Sequence, residues 1–145
     1  MVEKLEYDPN RTARIALIRY KTGIPPYIPA PRSLVPGDLI CASAPQEGEG
    51  LGSNVEISIG NSLPIGRIPA GTVVHNPELE PGRGGQLTRA AGTYAKIIKK
   101  EKSPTSLRPH SGKYYNPSTL AMGTIGMVSN ENHRNTKLRK AGQSR

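Results

Sequence analysis

Apolar positions along this chain come in short alternating runs separated by glycine and proline. Residues 3–7 read as a strand, and Asp8-Pro9-Asn10 as the turn that ends it. Residues 13–20 are mostly apolar, with Ile15 and Leu17 on one face and Ala16, Ile18 and Tyr20 on the other. Lys21-Thr22-Gly23 turns the chain, and Tyr27-Ile28 makes a short strand between prolines, which places it at a sheet edge. Pro36-Gly37-Asp38 is a further turn, followed by Leu39-Ile40-Cys41. Residues 45–54 read as an exposed loop; Glu47 and Glu49 lie in it with nothing to desolvate them for acid–base work. Residues 55–59 alternate cleanly and predict a strand with one wet face, ended by Gly60-Asn61, where a domain boundary is expected. Further strands are expected over 71–75, 93–98 and 123–128. No helical period persists beyond about two turns, and no fixed-period repeat is visible. The pattern predicts a mainly β chain of small barrels or sandwiches.

Composition narrows this picture. Apolar residues make up 34% of the chain, with 16 Gly and 14 Pro. The core must be small, and part of the chain is expected to order only against a partner, because little apolar burial is there to offset chain entropy. The single cysteine, Cys41, rules out an internal disulfide framework, fits a reducing compartment and is expected as a small buried strand residue. No apolar run of about 20 residues is present, and Trp and Phe are absent, so a membrane partner is disfavoured. No signal peptide or arginine-rich presequence opens the chain.

Charge is distributed unevenly. The formal net charge is +9. Residues 1–81 hold seven Lys/Arg against nine Asp/Glu, a net of −2, whereas residues 82–145 hold thirteen Lys/Arg against Glu101 and Glu131, a net of +11. A basic half on a near-neutral half indicates one side docked on a polyanion. That half opens with residues 82–92, a segment of four glycines, two arginines and one large apolar side chain, Leu87. Such a segment cannot build a core, but its glycines accept positive φ, its amides can form a nest for an anion, and Arg83 and Arg89 carry forked donors suited to phosphate. The final stretch, residues 132–145, sets Arg134, Lys137, Arg139, Lys140 and Arg145 among small and polar residues, as expected of an arm that orders on folded RNA.

Other chemistry is missing from the sequence. His75, His110 and His133 lie far apart with no cysteine at zinc-ligand spacing, so neither metal nor cofactor is expected. His75, at the end of an apolar strand, reads as structural or RNA-contacting; His110 and His133 are expected to be exposed. Leu87 stands where a dinucleotide fingerprint needs its third glycine, and no Gly-Lys-Ser/Thr or Gly-x-Ser-x-Gly follows. Gly84-Gly85-Gln86 resembles the tripeptide that class-one peptide-chain release factors present to peptidyl-tRNA, but the long helices of such factors are missing.

A second resemblance spans residues 2–145. Val2-Glu3-Lys4-Leu5-Glu6-Tyr7-Asp8-Pro9-Asn10-Arg11, Ile68-Pro69-Ala70-Gly71-Thr72-Val73-Val74-His75-Asn76, Glu80-Pro81-Gly82-Arg83-Gly84-Gly85-Gln86-Leu87-Thr88-Arg89-Ala90-Ala91-Gly92-Thr93 and Lys140-Ala141-Gly142-Gln143-Ser144-Arg145 follow the order and approximate spacing of the universal large-subunit ribosomal protein two family. The resemblance implies a partial OB-fold barrel over 1–60, an SH3-like barrel over 61–128 and a basic extended C-terminal arm over 129–145. It implies an RNA-binding structural constituent of the large ribosomal subunit, not an enzyme, with large-subunit ribosomal RNA and neighbouring ribosomal proteins as partners. It further implies that family segments before Met1 and after Arg145 are carried by a separate polypeptide or have been lost. The wording of 77–81 and 137–140 is similar to the mitochondrial branch, so a mitochondrial ribosome is expected, with plastid or bacterial cytoplasm as the alternative. The chain departs from the family at 101–120, where Pro104, Pro109 and Pro117 are expected to interrupt the usual hairpin, and at the 45–54 loop.

The expected RNA contacts follow. Arg83, Arg89, Lys96, Arg134, Lys137, Arg139, Lys140 and Arg145 would neutralise phosphates. Gly82, Gly84 and Gly85 would let the backbone approach, and Gln86 and Thr88 would meet 2′-hydroxyls and base edges. His75, Arg11, Arg14 and Arg67 form a second tier. Two other functions compete: a peptidyl-tRNA hydrolase acting through Gly84-Gly85-Gln86, and a free RNA chaperone built on an OB-like barrel.

Overall fold

A computed structural model describes residues 1–21, 23–43, 55–100 and 105–144. The described chain is mainly β and forms two antiparallel sheets. In the first, β1 (Val2–Glu6), β2 (Ile15–Ile18) and β3 (Tyr27–Pro29) run as a meander in the order β1-β2-β3. The predicted faces of β2 resolve in one direction: Ala16 and Ile18 are buried and Ile15 and Leu17 only half so. They join Val2, Ala30 and Leu34 in a small core, with Leu5, Ile28 and Ile40 packed against it. Tyr27-Ile28 lies in the edge strand, as its flanking prolines require.

The second sheet contains β4 (Ser62–Pro64), β5 (Val73–His75), β6 (Ala95–Lys100), β7 (Thr105–Pro109) and β8 (Met122–Ile125) in the order β4-β8-β5-β6-β7. The last strand thus inserts between the first two. Its core is Leu63, Ile65, Ile68, Val74, Ala95, Ile97, Leu107, Ala121 and Ile125. Backbone contacts stitch the sheets together: Pro31 bridges Val128, Ala42 bridges Ser62, and Ser129 N donates to Ala30 O at 3.0 Å. Among the described residues the only helical pieces are three 3-10 turns, at Ile65–Arg67, Glu131–Asn135 and Ala141–Ser144. None is long and apolar enough to cross a membrane.

Several expectations need correction. Residues 55–59 alternate but form no strand. Asn61, itself buried, instead ties this segment to Cys41. Its Nδ2 donates to Glu56 O at 2.9 Å and Ser58 Oγ at 2.8 Å, while its Oδ1 accepts from Cys41 N at 2.9 Å. Cys41 is exposed, not a buried strand residue, and Leu39 beside it is 79% exposed. Within 101–120, where prolines are expected to interrupt a hairpin, β7 forms and pairs antiparallel with β6. Pro109 closes the end of β7, and Pro117 contributes only its carbonyl, accepting from Thr105 N at 3.3 Å, so neither is asked for an N–H. Pro104 and the 45–54 loop lie outside the described residues. Strand β4 is not among the expected strands.

Candidate nucleic-acid interface

The chain leaves β5 at His75, turns through Asn76 at φ +50°, and returns to that point by Thr88. Asn76 N donates to Thr88 O at 3.3 Å and Gln86 N to Pro77 O at 3.2 Å, which closes residues 76–88 into a loop. Glu78 sits inside it, 8% exposed. Its Oε2 accepts from Gly82 N at 3.2 Å and Met122 N at 3.0 Å, and its Oε1 from Gly84 N at 3.1 Å. Glu78 N in turn donates to Met122 O at 2.8 Å, which anchors the loop to the start of β8.

The expected anion nest therefore exists, but its anion is internal. Gly82 (φ +76°) and Gly84 (φ +81°) turn their amides inward onto the Glu78 carboxylate and not outward onto phosphate. Their outer surfaces stay bare, with nothing within 4 Å of where a Cβ would stand. Gly85 behaves differently. A Cβ there would lie 2.3 Å from Asn76 Oδ1 and 2.4 Å from Asn76 O, so its backbone approaches the protein itself. Thr88 is also corrected: its Oγ1 is buried and does not face a 2′-hydroxyl at the surface. Gly84-Gly85-Gln86 is held within this closed loop by Gly84 N, Gly85 and Gln86 N.

The remaining predicted residues are distributed as follows. Arg83 is exposed and pairs with Glu80 at 2.9 Å, an exposed contact worth a few tenths of a kcal/mol that leaves most of its donors available. Gln86 and Arg89 are exposed. Arg89 borders a groove of about 330 Å³ with Leu87, Thr93, Pro109, His110 and Tyr115. Lys96 is exposed on the outer face of β6. Arg134, Lys137, Arg139 and Lys140 are all exposed along the arm, and Arg145 lies outside the described residues. Arg67 is half-buried in the turn after β4.

Arg11 and Arg14 are brought to the loop by contacts no local pattern announces. Thr12 between them accepts through Oγ1 from Ala91 N at 3.0 Å and through its carbonyl from Asn130 Nδ2 at 2.7 Å. Arg14 N donates to Ser129 Oγ at 3.1 Å. Arg32 pairs with Glu131 at 2.9 Å. The Arg11–Arg14 turn, the end of the glycine-rich loop and the root of the arm thus form one junction. Thr12, Glu78, Ser129 and Asn130 were missed by sequence reasoning. For Glu78 a signal existed: an acid four and six positions before the two glycines whose amides it holds.

His75 does not belong to the surface. It is 1% exposed, and its Nδ1 lies 3.0 Å from Gly126 O, so it cannot reach RNA directly. Burial lowers its pKa from the ordinary 6.5, outweighing the Gly126 and Pro29 carbonyls that favour the charged ring. The sign follows directly. Below pH 6.5 the unfolded chain takes up a proton at this site that the folded chain refuses. Stability is therefore lost as pH falls from 6.5 towards the folded-state pKa, with a slope of at most about 1.4 kcal/mol per pH unit. Urea denaturation at steps between pH 7.5 and 5 reads this slope, and His75→Gln is expected to flatten it; an unchanged slope in the variant would assign the loss to other groups.

Among the described residues no group of three or more His, Cys, Asp or Glu could hold a metal ion. The arrangement is that of a small two-sheet protein presenting a bare glycine shelf flanked by cations. Comparison with known proteins identifies the class. Residues 1–42 match the family model for the RNA binding N-terminal domain of Ribosomal Proteins L2, and residues 58–145 match that for their C-terminal domain. The chain belongs to the ribosomal protein L2 family. It is 48% identical over 144 residues to large ribosomal subunit protein uL2 of Bartonella quintana, covering 99% of this chain and 49% of that protein. It is 44% identical to uL2 of Parvibaculum lavamentivorans over the same shares, and 46% identical to that of Nitrobacter hamburgensis over 100% of this chain and 49% of that one. The chain thus spans about half the length of the curated relatives it matches.

Proposed function

We propose that this chain is a structural constituent of the large ribosomal subunit that binds and stabilises folded large-subunit ribosomal RNA, and that it is not an enzyme. The observation that carries this reading is the shelf of Gly82 and Gly84, bare on its outer side, with Arg83 and Arg89 exposed beside it. A backbone without side chains lets a phosphate-ribose chain approach closely, and two arginines supply its counter-charge. The junction with Arg11, Arg14 and the root of the arm extends the cationic surface, and the arm residues Arg134, Lys137, Arg139, Lys140 and Arg145 continue it. Residues 1–60, 61–128 and 129–145 are read as an OB-like domain, an SH3-like domain and the arm. Neighbouring ribosomal proteins are the expected protein partners. A ribosomal location follows from this reading. The relatives named above are bacterial, so a mitochondrial ribosome rests on the wording of 77–81 and 137–140 alone.

The test is the double variant Arg83→Glu/Arg89→Glu. Both side chains are exposed, so circular dichroism and the melting temperature should stay near those of the parent. Its affinity for ribosomal RNA should fall and its log–log salt slope should flatten by about 1.8 for two phosphates. In cells it should leave the large-subunit peak of a sucrose gradient after a high-salt wash. Normal retention there would reject the shelf as the point of contact.

A further inference from the structure

The outer face of β6–β7 carries an arrangement the shelf does not explain. Ala95 and Ile97 of β6 and Leu107 and Pro109 of β7 turn inward and are buried, so Lys96, Ile98 and Arg108 turn outward. The register sets Lys96 directly opposite Arg108. Like charges at facing cross-strand positions destabilise a sheet. No carboxylate of the described residues forms an ion pair with either. Two positions further on, His110 N donates to Tyr94 O at 3.1 Å, and the two rings lie 5.7 Å apart at 52°. The Arg108 guanidinium lies 5.7 Å from the centre of the Tyr114 ring. Tyr94, Lys96, Ile98, Arg108, Pro109, His110 and Gly112 enclose a groove of about 310 Å³. His110 and Pro109 also border the groove that leads to Arg89, so the two adjoin.

We infer that this face is a second RNA site, holding one unpaired nucleotide with its base against Tyr94 and His110 and its phosphate between Lys96 and Arg108. An anion between the facing cations removes their repulsion, which a neutral ligand cannot do. The half-buried Tyr94 ring, the exposed His110 ring and the exposed apolar surface of Ile98 suit a planar base. A base inside a duplex cannot reach such a platform, so the site selects single-stranded RNA. The adjoining Arg89 groove gives the path: a strand leaving the shelf passes His110 and then the paired cations.

This inference rests on the RNA-binding reading, and the experiment separates the two. The protein has no tryptophan, so Tyr94→Trp makes residue 94 the sole tryptophan emitter. The full chain carrying it is titrated at low salt with an unpaired RNA 12-mer, the matching 12-base-pair duplex and total large-subunit RNA, with binding followed independently by anisotropy of labelled RNA. The unpaired 12-mer is expected to quench the emission and the duplex to leave it unchanged. In the parent background, Lys96→Gln/Arg108→Gln should weaken binding of the unpaired 12-mer roughly tenfold and flatten its salt slope by about 0.7. Bound 12-mer with unquenched emission and an unaltered slope overturns the second site and leaves the shelf standing. Absence of binding to all three RNAs overturns both readings.

Discussion

Glu78→Ala is expected to lower the melting temperature by roughly 10 °C, from a loss of about 4 kcal/mol. The buried carboxylate accepts three backbone N–H groups, from Gly82, Gly84 and Met122, which lie on two segments far apart in the chain. Hydrogen bonds to a charged group are each worth about 1.5–3 kcal/mol, and donors left buried without partners add to the loss. Glu78→Gln keeps the shape but sets an amide donor against one of the three N–H groups, so about half the effect is expected. Thermal denaturation followed by circular dichroism checks both. The same variants discriminate between two roles for the glycine amides. Were those amides a phosphate site, clearing Glu78 from them would raise RNA affinity. With Glu78 as their proper partner, the loop loses its shape and affinity falls. Tighter RNA binding by Glu78→Ala would therefore overturn the account of the loop given above.

Gly85→Ala is the second large effect, with an expected loss of about 3 kcal/mol. The added Cβ would stand 2.4 Å from Asn76 O, a backbone atom, and 2.3 Å from Asn76 Oδ1. The side chain of Asn76 can turn aside. Its carbonyl can move only with a backbone segment already fixed at φ +50° and bonded through Asn76 N to Thr88 O. Gly84→Ala is the control. Its Cβ meets nothing within 4 Å, and its cost is the roughly 1–2 kcal/mol of holding alanine at φ +81°. The two substitutions should separate fold from binding. Gly85→Ala should act mainly on the melting temperature. Gly84→Ala should act mainly on RNA affinity, because its methyl projects into the shelf. Equal melting temperatures for the two variants would contradict the packing of Gly85 on Asn76.

Much of the strand pattern could be read before the structure. The alternation in 13–20, the prolines around Tyr27-Ile28 and the apolar runs at 71–75, 93–98 and 123–128 all correspond to strands, because each is a local signal bounded by turn residues. The errors have a common physical source. Residues 55–59 carry a strand pattern, yet Asn61, outside that window, claims their backbone and side-chain oxygens. Pro109 and Pro117 look like ladder breakers until the register shows that neither position needs a donor. Arg108 escaped notice because its meaning depends on Lys96 across the strand pair. His75 looks available in sequence and is interior in the fold.

Composition, charge asymmetry and four ordered motifs determine, from the sequence alone, that this is a mainly β member of the L2 family with one strongly basic half. These properties are sums or short patterns, so folding does not alter them. Tertiary structure alone decides that β8 lies between β4 and β5, that Thr12 meets Ala91 across 79 positions, and that Glu78 reaches Met122 across 44. It also decides that the glycine amides are already satisfied from within. A buried N–H must find an acceptor, and which acceptor it finds depends on what the fold brings within about 3 Å, a distance that neighbours in sequence do not set.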